Sequence, residues 1–234
     1  MAMHNIGMIY LYAEKYPLAL KSFQEATTLQ RAALGSAHPA VAASLLNIGM
    51  IFLLQRNPRG GKEAFLRAMD VTRKSMGYGS IQMARVLNNL GVAHYDSGDY
   101  SEALQSFLEA RDIQRNLLHM AMSEGGILRS QTRTIGLALT GTLSNLGFLY
   151  CRQRKYLEAF EALKEANELR ERHGGILARD PYSLEANLQY VGGIVREMKH
   201  KESLGPKEIQ EPASDHTPFM IFASFIKRMR CDLQ

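Results

Sequence analysis

Gly7, Gly49 and Gly91 stand 42 residues apart (49 − 7 and 91 − 49), and Gly147 follows 56 further on, the same period plus a 14-residue insertion. Around each glycine the same frame returns: Asn5-Ile6-Gly7 with Tyr10, Asn47-Ile48-Gly49 with Phe52, Asn89-Leu90-Gly91 with His94, and Asn145-Leu146-Gly147 with Tyr150. A second group recurs downstream of each: Ala19-Phe23-Ala26, Gly61-Phe65-Ala68, Ala103-Phe107-Ala110 and Ala159-Leu163-Ala166. A multi-position template matched four times constrains the fold more than any composition can, because a repeated unit must bury its apolar face against its own neighbours.

The third copy shows what the unit is. Leu87, Leu90, Gly91 and His94 share one face at helical spacing, and Ala103, Phe107 and Ala110 share another. Between them Ser97-Gly98-Asp99 is a short polar turn. Gly91 lets a second backbone come close, and the two alanines leave a shallow groove beside Phe107. The pattern predicts an all-α chain: a right-handed α-solenoid of stacked antiparallel helix pairs, with four complete pairs, a fifth first helix and a C-terminal helix.

A first helix built on small-Gly-aromatic spacing and a second built on Ala-Phe-Ala resemble the tetratricopeptide repeat. The 42-residue period, longer than the usual 34, is similar to the kinesin-light-chain-like subgroup. So is the linker Leu34-Gly35-Ser36-Ala37-His38-Pro39-Ala40-Val41-Ala42, followed by Leu45-Leu46-Asn47-Ile48-Gly49. The likeness covers roughly residues 1–199. The chain departs from it at Gly61, His94 and Leu163, and at Pro58, where the other repeats carry Tyr16, Tyr100 and Tyr156.

The first helix is expected to begin near Met1 with no capping repeat before it, which leaves an end that a partner, or a second copy of the chain, could cover. The next runs from about Pro17 to Leu34, with Gly35 as a left-handed cap and Gly77 repeating that cap 42 residues on (77 − 35). In repeat two, helices are expected over Ala40–Gln55 and from the Arg56–Gly61 turn to Met76. Glycines at 60 and 61 each cost about 1 kcal/mol against alanine, so that first turn should fray. In repeat three the second helix overruns its expected cap at His119. The insertion should therefore split, about six residues lengthening that helix and the rest preceding the next, with Arg129–Arg133 in the connection or the first turn. Repeat four spans about Ile135 to His173, and Asp180-Pro181 opens a fifth first helix. Residues 200–217, with Gly205, Pro206 and Pro212 among dispersed charges, read as a linker. The stretch 218–234 reads as an apolar helix with a basic end, expected to fold back on the array.

Little in this sequence carries chemistry. The net charge of +5 is modest and its cations are dispersed among Asp and Glu, so the chain does not read as a nucleic-acid binder. Cys151 and Cys231 lack CxxC spacing, which fits a reducing, cytoplasmic setting. No run is read as a signal peptide or as the roughly 20 apolar residues of a spanning helix, so a membrane partner is not expected apart from an alternative role for the C-terminal helix. Seven histidines show no metal-ligand spacing, no serine stands in a nucleophile elbow, and no phosphate cradle is present. Neither catalysis, a metal nor a cofactor is expected.

One polar feature recurs with the repeat: Asn5, Asn47, Asn89, Asn145 and Asn187, each two residues before the glycine position. These asparagines lie off the packing face. In the family that the chain resembles, that face lines a groove where asparagine amides hold a ligand's backbone. An amide offers both donor and acceptor and so can pair with an extended peptide whatever its side chains. The same asparagines could instead bridge neighbouring helices, and both roles can hold at once. Around them the candidate peptide contacts are Met50, Arg85, Asn88, Val92, Asp96, Phe148 and Arg152. The function expected is that of a non-catalytic scaffold holding a short linear motif of a partner protein.

Overall fold

The computed structural model describes residues 2–123, 129–174 and 184–203. Among these the chain is entirely helical: α1 (Ala2–Tyr12), α2 (Tyr16–Leu34), α3 (Pro39–Leu54), α4 (Pro58–Met76), α5 (Ile81–Ser97), α6 (Tyr100–Ser123), α7 (Arg129–Arg152), α8 (Tyr156–Gly174) and α9 (Leu184–Ser203). Odd-numbered helices are the first, or A, helices of the repeats and even-numbered ones the second, or B, helices.

The A-to-B turn is one device used four times. Glu14, Arg56 and Arg154 have φ of 58°, 59° and 60°, and Gly98 has 83°, so every turn holds one left-handed residue seven positions after the repeat glycine. The following amide reaches back across it: Lys15 N–H donates to the Tyr10 carbonyl (2.9 Å), Asn57 to Phe52 (2.8 Å), Asp99 to His94 (2.9 Å) and Lys155 to Tyr150 (2.9 Å). With the inner bonds from Glu14, Arg56, Gly98 and Arg154 to Leu11, Leu53, Tyr95 and Cys151, these are Schellman motifs. The same amide-bearing residue then starts the B helix, its carbonyl accepting from Ala19, Gly61, Ala103 or Ala159. One residue thus closes one helix and opens the next.

Each A helix meets its B helix through the glycine. A methyl built on Gly7 would lie 2.9 Å from the Phe23 ring, on Gly49 2.4 Å from Phe65, on Gly91 2.6 Å from Phe107, and on Gly147 2.6 Å from Leu163 Cγ. The three rings and Leu163 are buried, flanked by the buried alanines of the template. Consecutive helices pack throughout α1 to α5, and again from α7 to α9. Between repeats, Ser44 Oγ in α3 donates to Gln30 Oε1 in α2 (2.9 Å) and faces His4 Nδ1 in α1 (3.0 Å). Lys62 of α4 pairs with Asp99 at 3.1 Å and His94 Nδ1 lies 3.4 Å from the same carboxylate, which both hold below its usual range, Lys62 the more strongly.

The chain divides into two compact units, residues 1–117 and 118–234, with the boundary inside α6. Within each, the expected antiparallel pairs are present. The insertion does split. Two periods after Leu34 is residue 118 (34 + 84), and α6 runs five further to Ser123; α5 starts at Ile81, so α7 is due at 137 (81 + 56) yet starts eight earlier at Arg129. The inserted residues extend two helices. The added turns of α7 bring their own close contact, a methyl on Gly136 falling 2.5 Å from the His173 ring. Contrary to the sequence reading, one segment, Ser130–Arg152 within α7, is long and apolar enough to cross a membrane (mean hydropathy 1.2), but half of it is buried in the fold and it carries the Gly147–Leu163 contact of repeat four.

Two further expectations are corrected. Gly35 (φ 89°, ψ 158°) and Gly77 (φ 80°, ψ 168°) are not left-handed helical caps but lie in an extended mirror region that only glycine occupies readily. The first turn of α4 is not frayed: the helix starts at Pro58 and includes both glycines. Asn57 Oδ1 accepts from Gly60 N–H at 3.0 Å, and Gly61 sits where a methyl would meet Leu53 (2.9 Å) and the Gly49 carbonyl (3.2 Å). Helix α9 continues to Ser203, four residues into the stretch read as linker. Asp180-Pro181, the remaining linker and the C-terminal segment lie outside the described residues.

Candidate functional site

At 3.6 residues per turn, the residue two before the packing glycine points well away from the B helix. In α3 that residue is Asn47, in the same stripe as Ala43, Met50 and Leu54; in α5 it is Asn89, with Arg85, Val92 and Asp96. Asn47 and Asn89 are nonetheless only 4% and 9% exposed. Asn47 Nδ2 donates to Met8 Sδ of α1 at 3.6 Å, so this amide bridges two successive A helices. Asn89 makes no side-chain hydrogen bond among the described residues. Asn5, in the first A helix, is exposed.

The other predicted residues of the first unit sort by depth. Met50 and Val92 are buried, Asn88 and Asp96 are half-buried, and Arg85 is exposed. The part of this stripe open to solvent is therefore Ala43, Leu54, Arg85, Asn88 and Asp96, with Asn47 and Asn89 buried. Burial pushes the Asp96 carboxyl up to about 6, and the positive charge of Arg56 in the neighbouring turn opposes that shift. This part of the face carries both signs of charge over an apolar floor.

In the second unit Asn145 and Asn187 are buried, Phe148 is half-buried and Arg152 exposed. The amide nitrogen of Asn187 is enclosed with no hydrogen-bond partner among the described residues. The structure brings Asn5, Asn47 and Asn89 onto successive A helices of the first unit, and Asn145 and Asn187 onto those of the second. Sequence spacing placed them on the right stripe but could not show how closely neighbouring helices would shut over them. It missed Arg56, which no groove spacing includes because it lies in a turn.

The Cys151 thiol, half-buried beside the second stripe, is pushed up to about 11 by burial, so little thiolate exists at neutral pH.

Comparison with known proteins bears on this arrangement. A family model described as tetratricopeptide repeat matches residues 1–60 and 61–116, and a second of the same description matches 139–176. No curated protein matches. Among solved structures, BtubC (BKLC) from P. vanneervenii is similar with a TM-score of 0.62 at 19% identity, over 92% of this chain and 70% of that one. The apo form of RapI gives 0.63 at 17% identity, over 86% and 65%. A Podosopora anserina chain described as a kinesin light chain with nearly identical TPR-like repeats gives 0.60 at 12%, over 100% and 95%. At these identities the likeness is one of fold.

Proposed function

Because the chain belongs to the tetratricopeptide repeat family, its models covering well over half the residues, we propose that it is a non-catalytic interaction scaffold that holds an extended segment of a partner protein along its A-helix face. The observation that carries this reading is the stripe on α3 and α5: Arg85, Asn88 and Asp96 stand open or half-open along α5, Ala43 and Leu54 do so on α3, and Asn47 and Asn89 are buried in the same stripe. A ligand strand running along α5 would meet a guanidinium, an amide and a carboxylate in turn. Phe148 and Arg152 offer a second such surface on the other unit.

The burial of the asparagines divides the labour. Asn47, tied to Met8, holds the A helices in register, while the rim residues supply the contact surface. Each hydrogen bond to a ligand contributes about 0.5–1.5 kcal/mol net, so a few of them with modest apolar contact give affinities near micromolar. The test is capture of binding proteins from native extract by the intact chain, compared with Arg85→Glu combined with Asn88→Ala. Loss of captured partners with helix content intact supports the proposal. Undiminished capture by that variant overturns it.

A further inference from the structure

A second groove lies elsewhere on the first unit, between the B helices α2 and α4. It encloses about 480 Å³, with Leu45, Ile48 and Phe52 of α3 as its floor. At 3.6 residues per turn, those three lie some 160° around α3 from Ala43, Asn47, Met50 and Leu54. The groove is therefore on the opposite side of the helix from the proposed peptide face. Gln24, Thr28 and Arg31 of α2 form one wall; Gly60, Glu63 and Arg67 of α4 form the other.

The repeat supplies its own control. The twelve lining positions hold two arginines and one glutamate, a net charge of +1 (2 − 1). The same positions 42 residues on hold Arg73 but also Asp70, Asp99, Glu102 and Glu109, a net charge of −3 (1 − 4). In that next register the cation is already neutralised, Arg73 pairing with Asp70 at 3.1 Å, and Glu109 is bonded by Tyr78 and Gln105. Here Thr28 replaces Asp70, Gly60 replaces Glu102 and Arg67 replaces Glu109. Arg31 and Arg67 accordingly form no ion pair among the described residues. Gly60 adds room as well: the Phe52 ring lies where a methyl on residue 60 would be, 2.9 Å away. The glycine that weakens the start of α4 removes both bulk and the acid carried by the next repeat.

We propose that the groove between α2 and α4 docks an acidic peptide segment of a protein partner, its carboxylates on Arg31 and Arg67 and an apolar side chain on Phe52 and Ile48. This surface is distinct from the A-helix face and does not depend on it. Guanidiniums favour carboxylates through paired donors. Glu63, the one carboxylate among the lining residues, would attract a basic ligand, but the two arginines outnumber it, so they set the sign of the preference.

Fluorescence anisotropy on the intact chain tests this, with labelled peptides of repeated Leu-Asp-Glu and of repeated Leu-Lys-Lys as probes. The acidic peptide should bind at least about tenfold tighter than the basic one, and weaken with salt. Thr28→Asp with Arg67→Glu, residues that the next repeat already accommodates at those positions, should abolish that preference, whereas Arg85→Ala on the other face should leave it. Equal binding of the two peptides, no saturable binding, or an acidic preference that survives Thr28→Asp/Arg67→Glu each overturns the proposal. So does a polyuridine RNA that displaces the acidic peptide equally well from wild type and from the double variant.

Discussion

Replacing Gly91 by alanine tests the contact on which every repeat turns. The new methyl would stand 2.6 Å from Phe107 Cε1 and 2.7 Å from Cδ1, whereas carbon atoms rest at about 3.5–4.0 Å. The ring must therefore retreat by about 1 Å. Phe107 is 2% exposed and both flanking alanines, Ala103 and Ala110, are fully buried, so there is no slack to retreat into. Overpacking of this kind costs about 1–3 kcal/mol, and alanine returns about 1 kcal/mol of helix propensity over glycine. The net expectation is a loss of about 0–2 kcal/mol, or roughly 2–4 °C per kcal/mol in a chain of this size. Phe107→Ala alone should cost about 3–5 kcal/mol. In that background the methyl has room, so Gly91→Ala should become stabilising by up to about 1 kcal/mol. Urea unfolding followed by circular dichroism, compared at matched slopes, reads all four corners of the cycle. If Gly91→Ala has the same sign with and without the Phe107 ring, the close contact is not what requires glycine.

Three further outcomes follow from the backbone and one buried acid. Arg154→Gly should raise the thermal midpoint, since an L-residue at φ 60° costs about 1–2 kcal/mol that glycine does not; Gly98→Ala should lower it similarly. Gly77→Ala, at φ 80° and ψ 168°, should cost about 1–3 kcal/mol, while Gly79→Ala, with open space around it, serves as the neutral control in the same melts. Asp96 ionises near 6 in the fold, above its unfolded value. Its stabilising contribution is therefore complete below about pH 4 and lost as pH rises through 6. Asp96→Asn should gain on wild type by about 1 kcal/mol between those limits, after allowance for a carboxyl that is partly open to solvent, and equal stability differences at pH 4 and 7 would refute it.

The repeat was legible because its packing requirement leaves a mark at fixed intervals. A glycine facing a ring cannot be replaced without moving the ring, so Gly7, Gly49 and Gly91 announce both the helix and its partner. The positive φ at Glu14, Arg56 and Arg154 left no mark. Two reverse hydrogen bonds per turn hold those residues left-handed, and glycine is used at only one of the four sites. The depth of Asn47 and Asn89 was equally hidden. A helical wheel assigns a direction to a side chain, but whether that direction opens on solvent depends on how near the next A helix lies, and side chains such as Met8 decide that. The groove by Gly60 was missed for a different reason: an unfavourable residue was read as a local weakness, when its effect is on the space and charge around it.

The joint residues Lys15, Asn57, Asp99 and Lys155 each serve two helices at once, and this has a consequence for how such a gene can change length. A codon gained or lost at one of these joints would separate the donor amide from the acceptor carbonyl that share a single residue, undoing the exit of one helix and the entry of the next together. Among the described residues, the links from B back to A, α2 to α3 and α4 to α5, carry no such double duty. The chain's one irregularity of period, the 14-residue insertion, falls across such a link, between α6 and α7. Growth, recombination and the insertion of a foreign domain are thereby channelled to every second connection, and a lineage of these proteins should vary in length there and nowhere else.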